Sequence, residues 1–247
     1  MRLVISFPDF RGQHSQEFGK RLIAAYPDAV IAPILNGPDE AELLHVAERL
    51  EKPFHPVVVK GQGLLPATLE GYEALTSAAS GGTFNNHTII KIDTAEHPIE
   101  KIGLLAERAE KIGGFVVGDL EFDEKTLVTG TPDWYVHVHT FPLLYGLATK
   151  GKLALSCAHG FQAFGPGVCT QALVGIKRIF AEVQLQWGSV PRFGLDGAMA
   201  IACSMQNIAV ERVGIPAITL RNRDAAKIDE QTRAHMQICM AGMRVLL

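Results

Sequence analysis

The chain has 247 residues, 47% of them hydrophobic and 20% charged, with a formal net charge of -3. That balance gives no global attraction to nucleic acid or to an anionic membrane, so any phosphate recognition must be local. No window approaches the roughly 18 consecutive apolar residues of a membrane span. The short apolar run at the N-terminus lacks a small-residue cleavage site, and a cytoplasmic protein is expected.

In chain order, an apolar run at 3–7 stopped by Pro8 predicts a buried strand. "SQEFGKRLIAAYP" predicts a helix with Phe18, Leu22 and Ile23 on one face. A second strand at 29–35 is broken by "NGPDE", which also caps the next helix, "DEAELLHVAERLEK". "FHPVVVK" reads as a third strand, and "GQGLLPATLEGYEALTSAAS" as a helix started by glycines. The strand "HTIIKID", the helix "HPIEKIGLLAERAEKIG" and the strand "GFVVGDLEF" complete the first half. In the second half, "WYVHVHT" reads as a short alternating strand before an apolar helix. "QALVGIKRIFAEVQLQW" is a helix with Leu173, Ile176, Ile179 and Phe180 inward. "DGAMAIACSMQNIAVERVGIPAITLRNRD" gives an apolar helix and one or two strands, and the tail "DEQTRAHMQICMAGMRVLL" a terminal helix.

Strands alternating with helices at this spacing predict an α/β fold with a mostly parallel sheet flanked by helices. No repeat, linker or low-complexity segment divides the chain, so a single domain over 1–247 is expected. Right-handed crossovers place all parallel strand ends on one edge, where ligands bind in open α/β sheets. Asn36, Lys60, Asp93 and Asp119 all fall at such ends. Each alone could simply end a strand or cap a helix, but four converging on one edge favour a site.

Several motifs could carry chemistry. In "KGQGLLPATLEGY" (60–72) two glycines precede a helix, and free amides there, with Lys60, suit a phosphate or sugar oxygen. In "KIDTAEHP" (91–98) the carboxylates of Asp93 and Glu96, with His97 adjacent, could hold Mg²⁺ or Mn²⁺ through oxygen ligands. The alternative makes Glu96 and His97 the start of the helix that follows. Arg221, Arg223 and Lys227 could hold a phosphate or form a solvated loop. His137 and His139 share a strand face without a third ligand in view. Cys157, Cys169, Cys203 and Cys239 show no metal spacing and read as buried free thiols.

The order of these segments resembles the GT-A-fold family 2 glycosyltransferases, and among them the dolichol- and polyprenyl-phosphate sugar transferases. The likeness is carried by "KGQGLLPATLEGY", by "IIKIDTAEHPIEKIGLLAERAEKIGGFVVGD", by "SCAHGFQAFGPGVCTQAL" and by "VERVGIPAITLRNRDAAKI". The family's Pro-aromatic-Asn-Glu segment stands here as "FPDFRG", and its Asp-Asp-Gly-Ser as Leu35-Asn36-Gly37-Pro38. Its D-x-D becomes Asp93-Thr94-Ala95, and an arginine of its acceptor segment becomes Gln162.

The resemblance implies a GT-A-like (Rossmann-like) fold, with a nucleotide-binding half at 1–122 and an acceptor half at 123–247. It implies inverting, metal-dependent transfer of a sugar from a nucleotide sugar to a phosphate or hydroxyl acceptor, either a lipid phosphate or a small soluble molecule. On that reading Asn36, Lys60, Asp93 and Asp119 hold the donor, and Asp93 with Glu96 holds Mg²⁺ or Mn²⁺. His159, Gln162, Arg221 and Arg223 face the acceptor, and Asp196 is the base, its other reading being a cap of the helix it opens. Nucleic acid is not an expected partner, while peripheral membrane contact and homo-oligomers stay open. The alternative function is a GT-A-like module that has lost catalysis and holds a nucleotide or a partner.

Overall fold

The computed structural model describes residues 1–60, 64–77, 84–93, 98–121, 135–152, 160–216 and 225–245. Its strands are β1 (Leu3–Phe10), β2 (Val30–Asn36), β3 (Val57–Val58), β4 (Thr88–Ile92), β5 (Phe115–Glu121), β6 (Phe161–Phe164) and β7 (Val210–Pro216). The helices are α1 (Ser15–Ala25), α2 (Glu40–Glu48), α3 (Leu64–Thr76), α4 (Ile102–Ile112), α5 (Phe141–Ala148), α6 (Val168–Trp187), α7 (Leu195–Met205) and α8 (Ala225–Val245).

The strands form one sheet in the order β3-β2-β1-β4-β6-β5-β7. Every neighbouring pair is parallel except those made by β6, which runs against both β4 and β5. The expected α/β class, a mostly parallel sheet flanked by helices, is therefore what the chain adopts. Strand order reverses between β1 and β4, which makes that junction the switch point of the sheet.

Helices cover both faces. On one face Phe18 and Leu22 of α1 and Leu105 and Ala109 of α4 pack against Ile5, Ile90, Ile92 and Val116. On the other, α3 and α5 to α8 pack against Val4, Ile34, Ile89, Phe115 and Phe164. A strand covered on both faces is expected to be apolar throughout. β4 is buried at all five positions, and four of them are Thr88, Ile89, Ile90 and Ile92. Burying each isoleucine contributes roughly 1.5–3 kcal/mol. The remaining residue, between Ile90 and Ile92, is Lys91.

Local expectations fail in four places, each for a physical reason. β1 does not stop at Pro8 but runs to Phe10. Arg2 O accepts from Thr88 N, and Arg11 N donates to Asn36 O. Even-numbered residues of β1 thus aim their backbone at β4 and odd-numbered ones at β2. β4 pairs with β1 only as far as Ser6, so the N–H that Pro8 lacks would have pointed where the ladder has already ended. The third strand shrinks to Val57–Val58 at the sheet edge. "VHVHT" (Val136–Thr140) is a π-helical turn leading into α5 rather than a strand, so alternation there marks no pleat. Phe161–Phe164, absent from the sequence reading, inserts as β6 between β4 and β5. Among the described residues no helix is long and apolar enough to cross a membrane.

Candidate active site

β4, β6 and β5 place three side-chain rows beside one another, and on the α7-side face two of those rows are polar. One row reads Ser6, Lys91, Gln162, Val117 and Arg212 across β1, β4, β6, β5 and β7. Two residues further along each strand, on the same face, come Asp93, Gly160, Asp119 and Gly214. Asp93 N donates to Gly160 O at 2.8 Å, which extends the β4–β6 ladder by one residue. Asp93 and Asp119 are thus level, two strands or about 10 Å apart.

Asp196 arrives from above. Gly194, with φ at +95°, caps α7, and Asp196 is the second residue of that helix. It is not the N-cap, but a carboxylate in the first turn gains from the helix dipole. Its Oδ1 lies 2.7 Å from Lys91 Nζ, which also donates to Asp93 Oδ1. The two carboxylates remain 19% and 14% exposed, for Asp93 and Asp196 respectively, while Lys91 is 1% exposed. The acids therefore form a rim that a ligand can reach, and the ammonium lies beneath it.

The electrostatics follow from that burial. Desolvation raises the Asp196 carboxyl, Lys91 pulls it back and the charge of Asp93 raises it again, which leaves it at about 6. For Lys91, burial alone would lower its pKa. The charges of Asp196 and Asp93 more than offset that, so its pKa is raised and it stays an ammonium. Gln162 Nε2 donates to Asp196 O at 3.3 Å, while its buried Oε1 has no hydrogen-bond partner among the described residues. Ser6 Oγ donates to Ile90 O at 2.8 Å, so Tyr72 donates its phenol proton to Ser6 Oγ at 3.0 Å. Burial holds that phenol well above its ordinary range, and Asp93 and Asp196 push it further.

Close packing fixes the two acids. A Cβ on Gly160 would lie 1.9 Å from Asp93 Oδ2, and one on Gly197 would lie 1.9 Å from the Tyr145 hydroxyl. Tyr145 and His235 share a short hydrogen bond, and Phe141 packs on the His235 ring. α5 and α8 thereby press on α7 one residue beyond Asp196.

The remaining expected residues are spread along the same edge. Asn36 is buried at the end of β2, its carbonyl held by Arg11 N. Lys60 stands beyond β3, three strands or about 14 Å across the sheet from Asp93 and further along the strand direction, exposed and 3.8 Å from Glu40 Oε1. Asp119 is buried and turns to Arg212, at 3.4 Å. Glu96, His97, His159, Arg221, Arg223 and Cys157 lie outside the described residues, as do the side chains of His137 and Lys227. Cys169, Cys203 and Cys239 are buried free thiols whose pKa burial raises. Sequence reasoning missed Lys91, Ser6, Tyr72 and the Tyr145–His235 pair. Only Lys91 carried a signal, as one cation in the apolar run "TIIKI".

Fold and site together define an open α/β protein with two carboxylates bridged by a buried lysine beside its switch point. No family model matches the chain, and no curated protein matches it in sequence. One solved structure with a similar course is that of 4-diphosphocytidyl-2C-methyl-D-erythritol synthase. It shares 14% identity over 93% of this chain and 96% of that chain, with a TM-score of 0.48. At that level the reading of this chain rests on its own sheet and side chains.

Proposed function

We propose that the protein is an inverting sugar transferase using a nucleotide-sugar donor, with Asp196 as the base that activates the acceptor. The observation that carries this reading is a partly exposed carboxyl raised to about 6, fixed by a buried ammonium at the ligand-binding edge of the sheet. A base whose pKa lies just below the working pH is ionised yet retains driving force for proton transfer. The substrate class comes from the resemblance in segment order to GT-A-fold family 2 glycosyltransferases.

In the reaction an acceptor hydroxyl gives its proton to Asp196. Its oxygen attacks the anomeric carbon from the face opposite the nucleoside diphosphate, and the bond from that carbon to the diphosphate oxygen breaks. Asp93 and Gln162 set the position of Asp196 through Lys91 and through its carbonyl. Arg11, exposed just past β1, and Lys60, past β3, are cations of the same edge that suit the departing phosphates. Asn36 and Asp119 flank the donor in this reading, and His159, Arg221 and Arg223 serve the acceptor. A phosphate acceptor needs no base and would shift the burden to those arginines.

The test is turnover with a nucleotide-sugar panel. Asp196→Asn is expected to lower it by about 10²- to 10⁴-fold with little change in donor binding. Unchanged turnover would remove Asp196 from the chemistry.

The second reading, a nucleotide- or partner-binding module without catalysis, is favoured by the bridging of both acids by Lys91, which gives each carboxylate a counter-charge without a ligand. Thermal shift separates the two. A ligand at 100 times its dissociation constant stabilises by about 2.7 kcal/mol, and binding without transfer of any sugar in the panel marks the module.

A further inference from the structure

Asp93 and Asp196 reach one point from opposite sides, one from the end of β4 and the other from the first turn of α7. Two carboxylates converging in this way at a phosphate-type site commonly share a divalent cation. Here the point between them is filled. Lys91 Nζ is within ion-pair reach of an oxygen from each acid. The side chain cannot swing out to solvent, because Lys91 lies inside a fully buried strand with Ser6 and Gln162 on either side of it.

The free oxygen of Asp93 does not offer a second place. Asp93 Oδ2 lies against Gly160 so closely that even a Cβ there would collide with it. Among the described residues no group of three or more His, Cys, Asp or Glu could hold a metal ion. A dication added to this pair would also stand beside an ammonium that cannot leave, and burial strengthens that repulsion. The donor set therefore does not fit Mg²⁺ or Mn²⁺ on these two acids, as the resemblance in sequence implies it should for Asp93.

We propose that Lys91 is the resident cation of this site: its ammonium takes the place of a divalent ion between Asp93 and Asp196, and the two acids bind no metal. A fixed monocation leaves the pair of carboxylates with one net negative charge, so the cluster can be approached by a neutral hydroxyl but repels a bare phosphate. The charge of a bound diphosphate must then be met by cations elsewhere on the edge. The inference is separate from the sugar-transfer reading, because its readout is metal binding by the unloaded chain. A failed transfer assay leaves it standing.

The experiment is Mn²⁺ titration of the full chain, followed by electron paramagnetic resonance and thermal shift, in wild type, Asp93→Asn, Asp196→Asn and Lys91→Ala. Wild type is expected to show no Mn²⁺ site at about 1 mM affinity or tighter that either Asn substitution removes. Lys91→Ala is expected to gain one Mn²⁺ ion per chain and a Mn²⁺-dependent rise in melting temperature, both lost in Lys91→Ala/Asp93→Asn. A wild-type site abolished by Asp93→Asn overturns the proposal, and so does a folded Lys91→Ala that binds no Mn²⁺. Should Lys91→Ala fail to fold even with Mn²⁺ present, the wild-type arm decides alone.

Discussion

Two stretches of the same sheet edge use their acids in opposite ways. At the end of β1, Asp9 is fully buried, and its carboxylate accepts from His14 N at 2.9 Å and from the Ser15 hydroxyl. Those donors lie at the start of α1, so Asp9 satisfies orphan groups of a helix and closes a turn. At the end of β4, Asp93 meets a side-chain cation instead, and that cation is shared with a second acid from a distant helix. An acid whose partners are neutral donors at the start of the next helix is spent on the fold. One whose partner is a buried ammonium, and which stays partly exposed, is held ready for something outside. Position at a strand end does not distinguish them, but the nature of the partner does.

The comparison breaks most visibly at Lys91. Lys91→Ala leaves two carboxylates facing each other at a buried site, and removing one side of a buried ion cluster typically costs about 3–5 kcal/mol. Urea unfolding near pH 7 in the absence of divalent ions should show that loss. The loss should shrink as the pH falls toward about 6, because without Lys91, which pulls that pKa down, Asp196 takes up its proton at a higher pH than in wild type. The sign follows from a folded-state pKa above the ordinary 3.8: ionising Asp196 weakens the fold, so its contribution is full below that value and fades as pH rises through about 6. A loss of stability that stays constant between pH 5 and 8 would mean that Asp196 does not feel the missing ammonium.

Gly160→Ala comes next. Its Cβ collides with Asp93, so overpacking of about 1–3 kcal/mol is expected, together with displacement of Asp93 from Lys91. Normal stability with an unmoved Asp93 in a crystal structure of the variant would contradict the packing described. Asp9→Ala should cost about 0.5–2 kcal/mol, as a lost helix cap does, and leave the titration of Asp196 where it was. Should it shift that titration, the two stretches of the edge are not separate. Lys60→Ala should change stability by less than about 0.5 kcal/mol, since its only ion pair among those described is long and exposed. Any effect of Lys60 belongs to ligand binding.

Much of the fold was legible because its first half obeys simple periodicities. β1, β2, β4 and β5 carry apolar runs of the right length, and Asp39 accepts from Ala41 N and Glu42 N, as a capping cluster should. The second half was less so. "FQAF" is too short for a period to show, and its place between β4 and β5 depends on pairing across the chain that no local pattern encodes. "VHVHT" alternates like a strand yet turns as a helix, because the segment continues directly into α5.

For the site, the acids were visible as strand-end and helix-start residues, and Asp93 and Asp196 were singled out separately. What could not be read was their meeting at Lys91. That contact joins β4 to a first turn 105 residues further along the chain, and a lysine in an apolar run gives no hint of which carboxylates neutralise it. The Tyr145–His235 contact behind α7 was hidden for the same reason.

Asp196 is a carboxylate perturbed by burial and held by Lys91, with Asp93 raising it further. The direct measurement is a pH titration of the Asp196 carboxyl carbon by ¹³C NMR on aspartate-labelled protein, with Asp196→Asn to assign the signal. The carboxyl should titrate near pH 6 in wild type and at lower pH in Asp93→Asn, where the neighbouring charge is gone. Titration near pH 4 in both proteins would contradict the account.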